Sequence, residues 1–342
     1  MNRRHSKKAN NTLEKHYLTK SSIKQIENFE FNGDSSISKS ISEKLKGQIY
    51  IDPRLDTGFK NLFASKAAIK DFLNGILQLQ GEDRIKDLNY SFDHTLRFMV
   101  PRERKISLDA FATTESKRFL NIEMQKAEHN FFIDRTVLYK SFLIINGKQE
   151  MESTEEFKAL SKEQKEYRRY EIPESISIWI CDFELPQTMG NYIDEWAIYS
   201  RESLKNGNGE TIFPKNKYII VSLPKFNKTA NEVKTPVDTW LYVIKHACDG
   251  KELPHFGSDI VKEALERIRI DRLDNKTLTE LEREMIAQEE IDCRLAGAKI
   301  ETRLEMVDAM LANDIPVEKI SVISGIPLEE IQKRRALRER GL

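Results

Sequence analysis

The segment Lys105–Gln125, KISLDAFATTESKRFLNIEMQ, decides the fold class, because it contains two apolar stretches that alternate with period two. Successive side chains of a β-strand point to opposite faces, so Leu120, Ile122 and Met124 share one face of the second stretch. Its other face carries an aromatic and three polar side chains, Phe119, Asn121, Glu123 and Gln125. The segment therefore predicts two neighbouring strands, each with an apolar face and a face that bears a carboxylate.

The first strand of this predicted hairpin divides its side chains in the same way. Ile106, Leu108 and Ala110 are expected on one face, and the other face is expected to carry Ser107, Asp109 and Phe111. If the connection is centred on Ser116, the numbers of paired residues sum to 232, which places Asp109 opposite Glu123. Directly opposed residues have Cβ atoms about 4.5–5.5 Å apart, so the hairpin is expected to bring the two carboxylates together.

Two carboxylates at this distance repel each other, and the pKa of one rises unless a cation lies between them. Mg²⁺ is commonly bound by one or two carboxylates together with water and substrate phosphate. A cation held in this way lowers the pKa of a bound water and stabilises charge on a phosphate under attack. Strands with acids on a solvent-exposed face are also common without any metal, so the spacing alone leaves both interpretations open.

The sequence around the hairpin predicts an α/β domain. One helix, capped by Asp56 or Thr57, is predicted to extend to Leu77, because its apolar residues recur at spacings of three and four. Short strands are predicted at 89–92 and 96–100, and a second helix at 130–146. Residues 147–170 lack an apolar face and are expected to form a surface insertion. Buried strands at 175–183 and 217–223 complete a sheet covered on both faces.

Three regions follow from these patterns: a polar tail at 1–48, the α/β domain at 49–250 and a helical region at 251–342. The first 24 residues hold seven Lys and Arg against one Glu, as in a solvated tail or an arm that binds phosphates. The chain is expected to end in three short helices, with breaks at 313–316 and 325–327. These helices fit a DNA-contacting helix-turn-helix or an oligomerisation appendage.

Composition excludes some classes of protein and leaves others open. The 342-residue chain has 55 Lys and Arg and 55 Asp and Glu, and a net charge of zero does not exclude a local DNA-binding face. Its three cysteines form no CxxC pair, which argues against a zinc site and favours a reducing compartment. No apolar run is long enough for a transmembrane helix or a signal peptide, so we expect a cytoplasmic location.

Asp109 followed by Glu-x-Gln at 123–125 resembles the signature of the PD-(D/E)xK nucleases, with Gln125 in place of the usual lysine and Leu108 in place of the proline. Further stretches resemble the recombination-promoting nuclease and transposase branch of bacteria, and together they cover about residues 49–250. They are DTGFKNLF at Asp56–Phe63, FLNGIL at Phe72–Leu77, DRTVLYKS at Asp134–Ser141, YIIVSLPKF at Tyr218–Phe226 and VDTWLYVIKHA at Val237–Ala247.

The resemblance implies a role for each matching residue. Asp109 and Glu123 would bind the metal, Mg²⁺ or Mn²⁺. Gln125 would take the lysine's position and orient the attacking water or the phosphate, although an amide carries no charge. Asp56 would supply an outer carboxylate.

Four further residues are candidates for phosphate or DNA binding. Arg135 and Tyr139 are four residues apart and share one helix face, from which they would approach the site. Lys60 and Arg104 are ambiguous, since each fits either a solvated surface or a phosphate contact. Arg104 belongs to a basic run that directly precedes the strand of Asp109.

The sequence therefore predicts a restriction-endonuclease-like α/β fold, a mixed central sheet flanked by helices, with an all-helical C-terminal appendage. The expected function is metal-dependent DNA endonuclease activity, with DNA as partner, no membrane association and homo-oligomerisation left open. Two alternatives stay open as well. One is a DNA-binding protein of mobile-element origin with a degenerate site, and the other is an assembly protein that acts through its helical tail.

Overall fold

The computed structural model describes residues 45–96, 106–185 and 190–339. Within them the chain forms a mixed six-stranded sheet in the order β1-β2-β3-β4-β6-β5. The strands are β1 Leu88–Leu96, β2 Ile106–Thr114, β3 Phe119–Gln125, β4 Ser175–Cys181, β5 Ile193–Ala197 and β6 Asn216–Ser222. Strands β3, β4 and β6 run parallel, and the remaining pairs are antiparallel. The predicted mixed sheet is confirmed, and both predicted buried strands lie next to each other at its centre.

Helices flank the sheet and form the C-terminal region. They are α1 Asp56–Leu62, α2 Lys66–Ile76, α3 Phe132–Ser153, α4 Glu155–Lys158, α5 Lys162–Tyr167, α6 Arg201–Lys205, α7 Pro236–His246, α8 Asp259–Arg267, α9 Asn275–Ala312, α10 Val317–Ser324 and α11 Leu328–Glu339. One hydrophobic cluster lies between the sheet and helices α1, α2, α7 and α8, and it includes Leu120, Ile122 and Ile178. Helix α3 covers the opposite face, where Phe119 and Leu143 share a cluster and Phe132 packs against Trp179.

The hairpin register is the predicted one. Ala110 pairs with Ile122, Phe111 with Asn121 and Ala112 with Leu120, so the paired numbers sum to 232. The ladder ends one pair before Asp109 and Glu123. Beyond the last pair, a side chain and not the backbone links the two strands, because the Met124 N–H donates to Asp109 Oδ2 at 2.8 Å.

The predicted alternation of β2 is wrong on one side of Asp109. Leu108 was expected on the face of Ala110, but it lies in the cluster of Phe111 and Phe119 instead. Strand β1 is irregular at the same level. Phe92 pairs with Ala110 and His94 with Leu108, while Asp93 between them has a φ of +52°. The edge strand β1 and its neighbour β2 therefore depart from the regular alternation where the first candidate carboxylate lies.

The helix predicted from residue 56 to Leu77 is two helices, α1 and α2. The Ser65 hydroxyl accepts a hydrogen bond from the Ala68 N–H and caps the start of α2, which explains the break. Asp56 and Thr57 do not cap α1. Instead, Glu284 of helix α9 accepts from their backbone N–H groups at 2.5 and 2.9 Å.

Glycine is required at position 58 in helix α1. A Cβ atom there would lie 2.0 Å from the backbone oxygen of Asp52, in the turn that precedes the helix. No side chain larger than hydrogen fits such a close approach.

The surface insertion begins later than the sequence predicts. Helix α3 continues to Ser153 and so includes the first seven residues assigned to the insertion. Gly147 lies on its buried side, where a Cβ would come within 3.0 Å of the Phe119 ring. The remaining residues form the short helices α4 and α5, which bury no residue. A helix thus extends where composition alone shows only charge, because one small residue gives it contact with the sheet.

Both predicted C-terminal breaks are confirmed, but the first of the three helices is not short. It is the end of α9, a helix of 38 residues. Asp314 and Gly325 have φ values of +55° and +67°, and each lies in one of the two predicted breaks. Val307, Val317, Ile320 and Ile331 form a small core among α9, α10 and α11.

The basic N-terminal segment and the residues of the basic run from Arg97 to Lys105 lie outside the described residues. Within the described ranges, no helix combines the length and the apolar character needed to cross a bilayer.

Candidate active site

The carboxyl end of β3 brings most of the candidate residues together. Glu123 and Gln125 are among the last three residues of this strand, and Asp109 lies on the neighbouring β2. Arg135 and Tyr139 reach the same place from the first two turns of α3. The strand-loop-helix connection after Gln125 therefore turns a short stretch of sequence into one side of a site.

Glu123 is a buried carboxylate without a full set of partners. Its side chain has an exposed fraction of 0%, and its Oε2 atom accepts no hydrogen bond within the described part of the chain. Oε1 is the acceptor of two long hydrogen bonds, from the Asp109 N–H at 3.4 Å and the Asn121 amide at 3.5 Å. Burial, and next the neighbouring Asp109, raise the pKa of Glu123 well above its ordinary value. The carboxyl group is therefore poorly stabilised in its charged form.

Asp109 has the same tendency to a smaller extent. Burial raises its pKa to about 6, although the hydrogen bond from the Met124 N–H acts in the opposite direction. The charge of Asp56 also raises this pKa, whereas Arg135 and Lys60 lower it. The two buried carboxyl groups thus retain protons at pH values where exposed acids are ionised.

Gln125 is bound at both ends of its amide. Its Nε2 donates to the Met124 carbonyl oxygen at 3.1 Å, and its Oε1 accepts from Arg135 Nη1 at 2.8 Å. Arg135 Nη2 donates to the Tyr139 hydroxyl at 3.0 Å and lies 4.0 Å from Glu123 Oε2. The Gln125 amide and the Tyr139 hydroxyl therefore hold the Arg135 guanidinium beside Glu123 Oε2, the carboxylate oxygen that accepts no hydrogen bond among the described residues.

Two aromatic rings support the same guanidinium. Its central carbon lies 4.9 Å from the centroid of the Tyr139 ring and 5.8 Å from that of Trp179. Such contacts contribute about 0.5–2 kcal/mol each, depending on solvation. Because the Arg135 side chain is 33% exposed, the cation is both held by the protein and accessible from solvent.

Asp56 and Lys60 form a second group on the Asp109 side. The Lys60 ammonium donates to Asp56 Oδ2 at 2.6 Å and to Asp93 Oδ2 at 2.7 Å. Burial alone would lower the pKa of Lys60, but these two carboxylates outweigh it and raise the pKa. The structure therefore places Lys60 between two acids, close enough to Asp109 to influence its pKa. Arg104 lies outside the described residues.

Sequence reasoning missed three residues at this place. Asp93 lies in an irregular part of β1 that no pattern marks, and a left-handed aspartate costs on the order of 1 kcal/mol. Asn121 is fully buried and its Oδ1 accepts no hydrogen bond among the described residues. Its position two residues before Glu123 on the same strand face was a usable signal. Glu284 is more than 220 residues from the helix that it caps, so no local pattern could reveal it.

The donor set fits a divalent cation that completes its coordination with water and phosphate. The described residues contain no cluster of three or more His, Cys, Asp or Glu side chains arranged to hold a metal. They do contain two adjacent carboxyl groups, one with a buried oxygen that accepts no hydrogen bond. Mg²⁺ commonly uses one or two carboxylates and keeps several waters, so Asp109 and Glu123 suit it better than an ion that needs a complete protein cage.

The described fold and this pair of carboxylates agree with the comparison against protein families. The model of the PD-(D/E)XK nuclease family transposase matches residues 53–292. The chain belongs to this family. Membership establishes the restriction-endonuclease-like α/β fold that the sequence predicted, and it indicates a nuclease-like or transposase-related function.

The family match extends past residue 250, where the sequence predicted that the nuclease-like domain ends. Helix α8 and the first part of α9, up to residue 292, lie within it, and Glu284 belongs to this part. No curated protein and no solved structure matches the chain. The PD-(D/E)XK family assignment therefore rests on the family model.

Proposed function

We propose that this protein hydrolyses phosphodiester bonds in DNA and uses a divalent cation, Mg²⁺ or Mn²⁺, bound by Asp109 and Glu123. One observation carries the proposal. The Glu123 carboxylate is fully buried beside Asp109, and its Oε2 atom accepts no hydrogen bond among the described residues, with the Arg135 guanidinium 4.0 Å away. A buried carboxylate that lacks hydrogen bonds and lies beside a second acid destabilises a fold, whereas a bound cation would complete the same site.

The cation would supply Lewis acidity to the phosphate and a water of lowered pKa. The residues of the chain would do the rest. Asp109 and Glu123 would give up their protons when the cation binds, so that binding becomes stronger as pH rises. Arg135 would donate to a phosphate oxygen, where a guanidinium can form two parallel hydrogen bonds. Tyr139 and Gln125 would keep Arg135 oriented.

Lys60 and Asp56 would act at the Asp109 side of the same site. The Lys60 ammonium is shared by Asp56 and Asp93. A phosphate of the DNA backbone would compete with these acids for the ammonium. Asp56 would act as an outer carboxylate through its electrostatic effect on Asp109.

Family membership supports DNA as the substrate, and the expected setting is a bacterial cytoplasm. Hydrolysis of this kind serves recombination, transposition and defence against foreign DNA alike. We expect little sequence specificity, and the boundaries at residues 48 and 250 remain predictions.

A second function belongs to a different class. Gln125 lacks the charge of the lysine that gives the family signature its final letter, which favours a DNA-binding protein with a degenerate site. Such a protein would bind DNA with a salt-dependent affinity, but it would not cleave it with any metal.

The first experiment incubates the purified protein with supercoiled plasmid DNA in Mg²⁺, Mn²⁺ or EDTA. Asp109→Asn and Glu123→Gln are the test variants. Glu195→Gln on strand β5 is the matched control. This exposed carboxylate lies outside the site, and its Oε1 atom is 4.0 Å from the Lys217 ammonium.

Cleavage by the parent and by Glu195→Gln, but not by the two test variants, is the expected result. Cleavage that persists in EDTA would overturn the metal requirement. Cleavage by Asp109→Asn at the parent rate would overturn the site. DNA binding without cleavage in either metal would favour the degenerate protein.

A further inference from the structure

The signature that names the family has a lysine two residues after its acidic residue, and this chain has Gln125 there. A lysine at that position brings a positive charge to the strand end. An amide brings none, but unlike lysine it contains a hydrogen-bond acceptor. That acceptor is in use, since Gln125 Oε1 receives a hydrogen bond from Arg135 Nη1 at 2.8 Å.

The orientation of the Gln125 amide is determined by the strand itself. Its Nε2 donates to the Met124 carbonyl oxygen at 3.1 Å, so the amide oxygen is directed towards helix α3. Arg135 lies on the first turns of α3, and its other terminal nitrogen, Nη2, is 4.0 Å from Glu123 Oε2. The guanidinium therefore brings a positive charge next to the second candidate metal ligand.

The Arg135 guanidinium has unused hydrogen-bond donors that can bind a phosphate. Gln125 and Tyr139 receive two hydrogen bonds from it, whereas a guanidinium has five N–H donors. The rings of Tyr139 and Trp179 limit its movement, which reduces the entropy lost when it binds a phosphate. Its side chain is 33% exposed, so a phosphate can reach the unused donors.

We propose that Gln125 is a positioning residue that holds Arg135, and that Arg135 supplies from helix α3 the positive charge that lysine would supply from strand β3. The inference rests on the proposed nuclease function. It assigns Gln125 no direct contact with the attacking water. It also implies that a lysine at position 125 is harmful here, because it would repel Arg135 and remove its acceptor.

The test exchanges the positions of the two chemical groups. Arg135→Gln and Gln125→Lys are made singly and together, and cleavage of plasmid DNA in Mg²⁺ or Mn²⁺ is measured for each. Arg169→Gln is the control, because this exposed arginine pairs with Glu166 and its carbonyl contacts Lys148, near the other end of α3. Thermal unfolding of every variant shows whether a loss of activity reflects a loss of fold.

Each single variant is expected to lose about 100-fold in rate, the scale of removing one electrostatic stabiliser of a transition state. The cleavage rate of the double variant is expected to be about 10-fold or more above that of either single variant. It again has one cation at the site, and that cation has no second cation beside it to repel it. Additive losses in the double variant would overturn the inference while the proposed function stands. So would a Gln125→Lys variant as active as the parent.

DNA binding gives a second readout that does not depend on cleavage. In an Asp109→Asn background, Arg135→Gln and Gln125→Lys are compared by the salt dependence of binding to a DNA duplex. Loss of one phosphate contact lowers the slope of log K against log salt by about 1. An unchanged slope for Arg135→Gln would contradict the phosphate contact. A parent that binds DNA but never cleaves it would overturn the proposed function, and the slopes would still test the role of Arg135.

Discussion

Two buried carboxylates in this protein have opposite surroundings. Glu123, near the end of β3, is 0% exposed, and one of its oxygens accepts no hydrogen bond among the described residues. Asp238, in the first turn of α7, is 1% exposed, but it accepts from Lys228 at 2.8 Å and from Tyr192 at 2.7 Å. The two side chains are almost equally inaccessible to solvent, but Glu123 lies deeper, and only Asp238 is hydrogen-bonded to a cation of the protein.

The difference appears in their pKa values. Burial alone would raise the pKa of Asp238, but the hydrogen bonds from Lys228 and Tyr192 outweigh it and lower the pKa. For Glu123, burial acts with Asp109, and the pKa is raised well above its ordinary value. A buried charge that is fully paired belongs to the structure. A buried carboxylate that accepts no strong hydrogen bond and lies beside a second acid, as Glu123 does, is a candidate site for an external cation.

The largest expected effect comes from neutralising the two adjacent carboxyl groups of Asp109 and Glu123. Glu123→Gln and Asp109→Asn should each lower DNA cleavage by about a thousand-fold or more, because the charges that hold the cation are lost. Both variants should nevertheless unfold at a higher temperature than the metal-free parent at pH 7.5, since an amide neither buries a charge nor has to take up a proton on folding.

The measurement is cleavage together with thermal unfolding, with and without Mn²⁺. Mn²⁺ should raise the unfolding temperature of the parent and leave that of Glu123→Gln unchanged. A Glu123→Gln variant that unfolds at a lower temperature than the metal-free parent would show that Arg135, 4.0 Å from Glu123 Oε2, already stabilises the carboxylate.

The second prediction concerns pH. The pKa of Asp109 is raised to about 6 in the folded protein, and that of an unfolded aspartate is about 4. The stability contributed by its protonated form is therefore fully present below about pH 4 and is lost as pH rises through about 6. Urea unfolding between pH 4 and 8 in EDTA should show this loss in the parent and a smaller one in Asp109→Asn. Equal pH dependence in the two proteins would contradict the raised pKa.

The third prediction addresses the paired carboxylate. Asp238→Asn should lower the free energy of unfolding by about 1–2 kcal/mol, because two hydrogen bonds to a charge are weakened and Lys228 is partly exposed. The pKa of Asp238 is lowered, so its stabilisation is present above about pH 4 and is lost as pH falls through its folded pKa. Cleavage per folded molecule should match the parent. A large loss of cleavage at unchanged stability would place Asp238 in the site.

The smallest expected effect concerns Glu284. Glu284→Ala removes the acceptor of two N–H groups at the start of α1 and should cost about 1 kcal/mol, as for other N-caps. Cleavage should fall modestly, because α1 carries Asp56 and Lys60. Glu290→Ala on the same helix is the control, since Glu290 pairs with Arg294 of its own helix. Equal unfolding free energies for the two variants would show that Glu284 does not stabilise α1.

Local patterns predicted the parts of the fold that depend on local geometry. Period-two alternation located β2 and β3, apolar runs located the buried strands β4 and β6, and an assumed turn at Ser116 gave the correct register of β2 with β3. Gly325 ended a helix where the sequence indicated, because glycine adopts a left-handed conformation without strain. The same patterns brought Asp109 and Glu123 into one site.

Apolar spacing and composition failed where another feature decides the outcome. The apolar spacing of residues 56–77 fits one helix, but Ser65, within this stretch, caps a second helix and so divides it. Asp93 of β1 has a positive φ, and Leu108 of β2 lies on the face opposite to the one that alternation predicts. Both lie beside Asp109, whose carboxylate accepts a hydrogen bond from the Met124 N–H. Composition also marked residues 147–153 as insertion, although Gly147 lets α3 lie against Phe119.

The sequence by itself determined the pairing of β2 with β3, the acidic pair and the helix face that Arg135 and Tyr139 share, because these depend on alternation and helical spacing. Only the tertiary structure decided that Glu123 is buried with one oxygen that accepts no hydrogen bond among the described residues, that Gln125 binds Arg135 and that Glu284 caps α1. Burial and pairing depend on segments that are far apart in the chain and meet only when the fold closes. The chemistry of the site depends on those meetings.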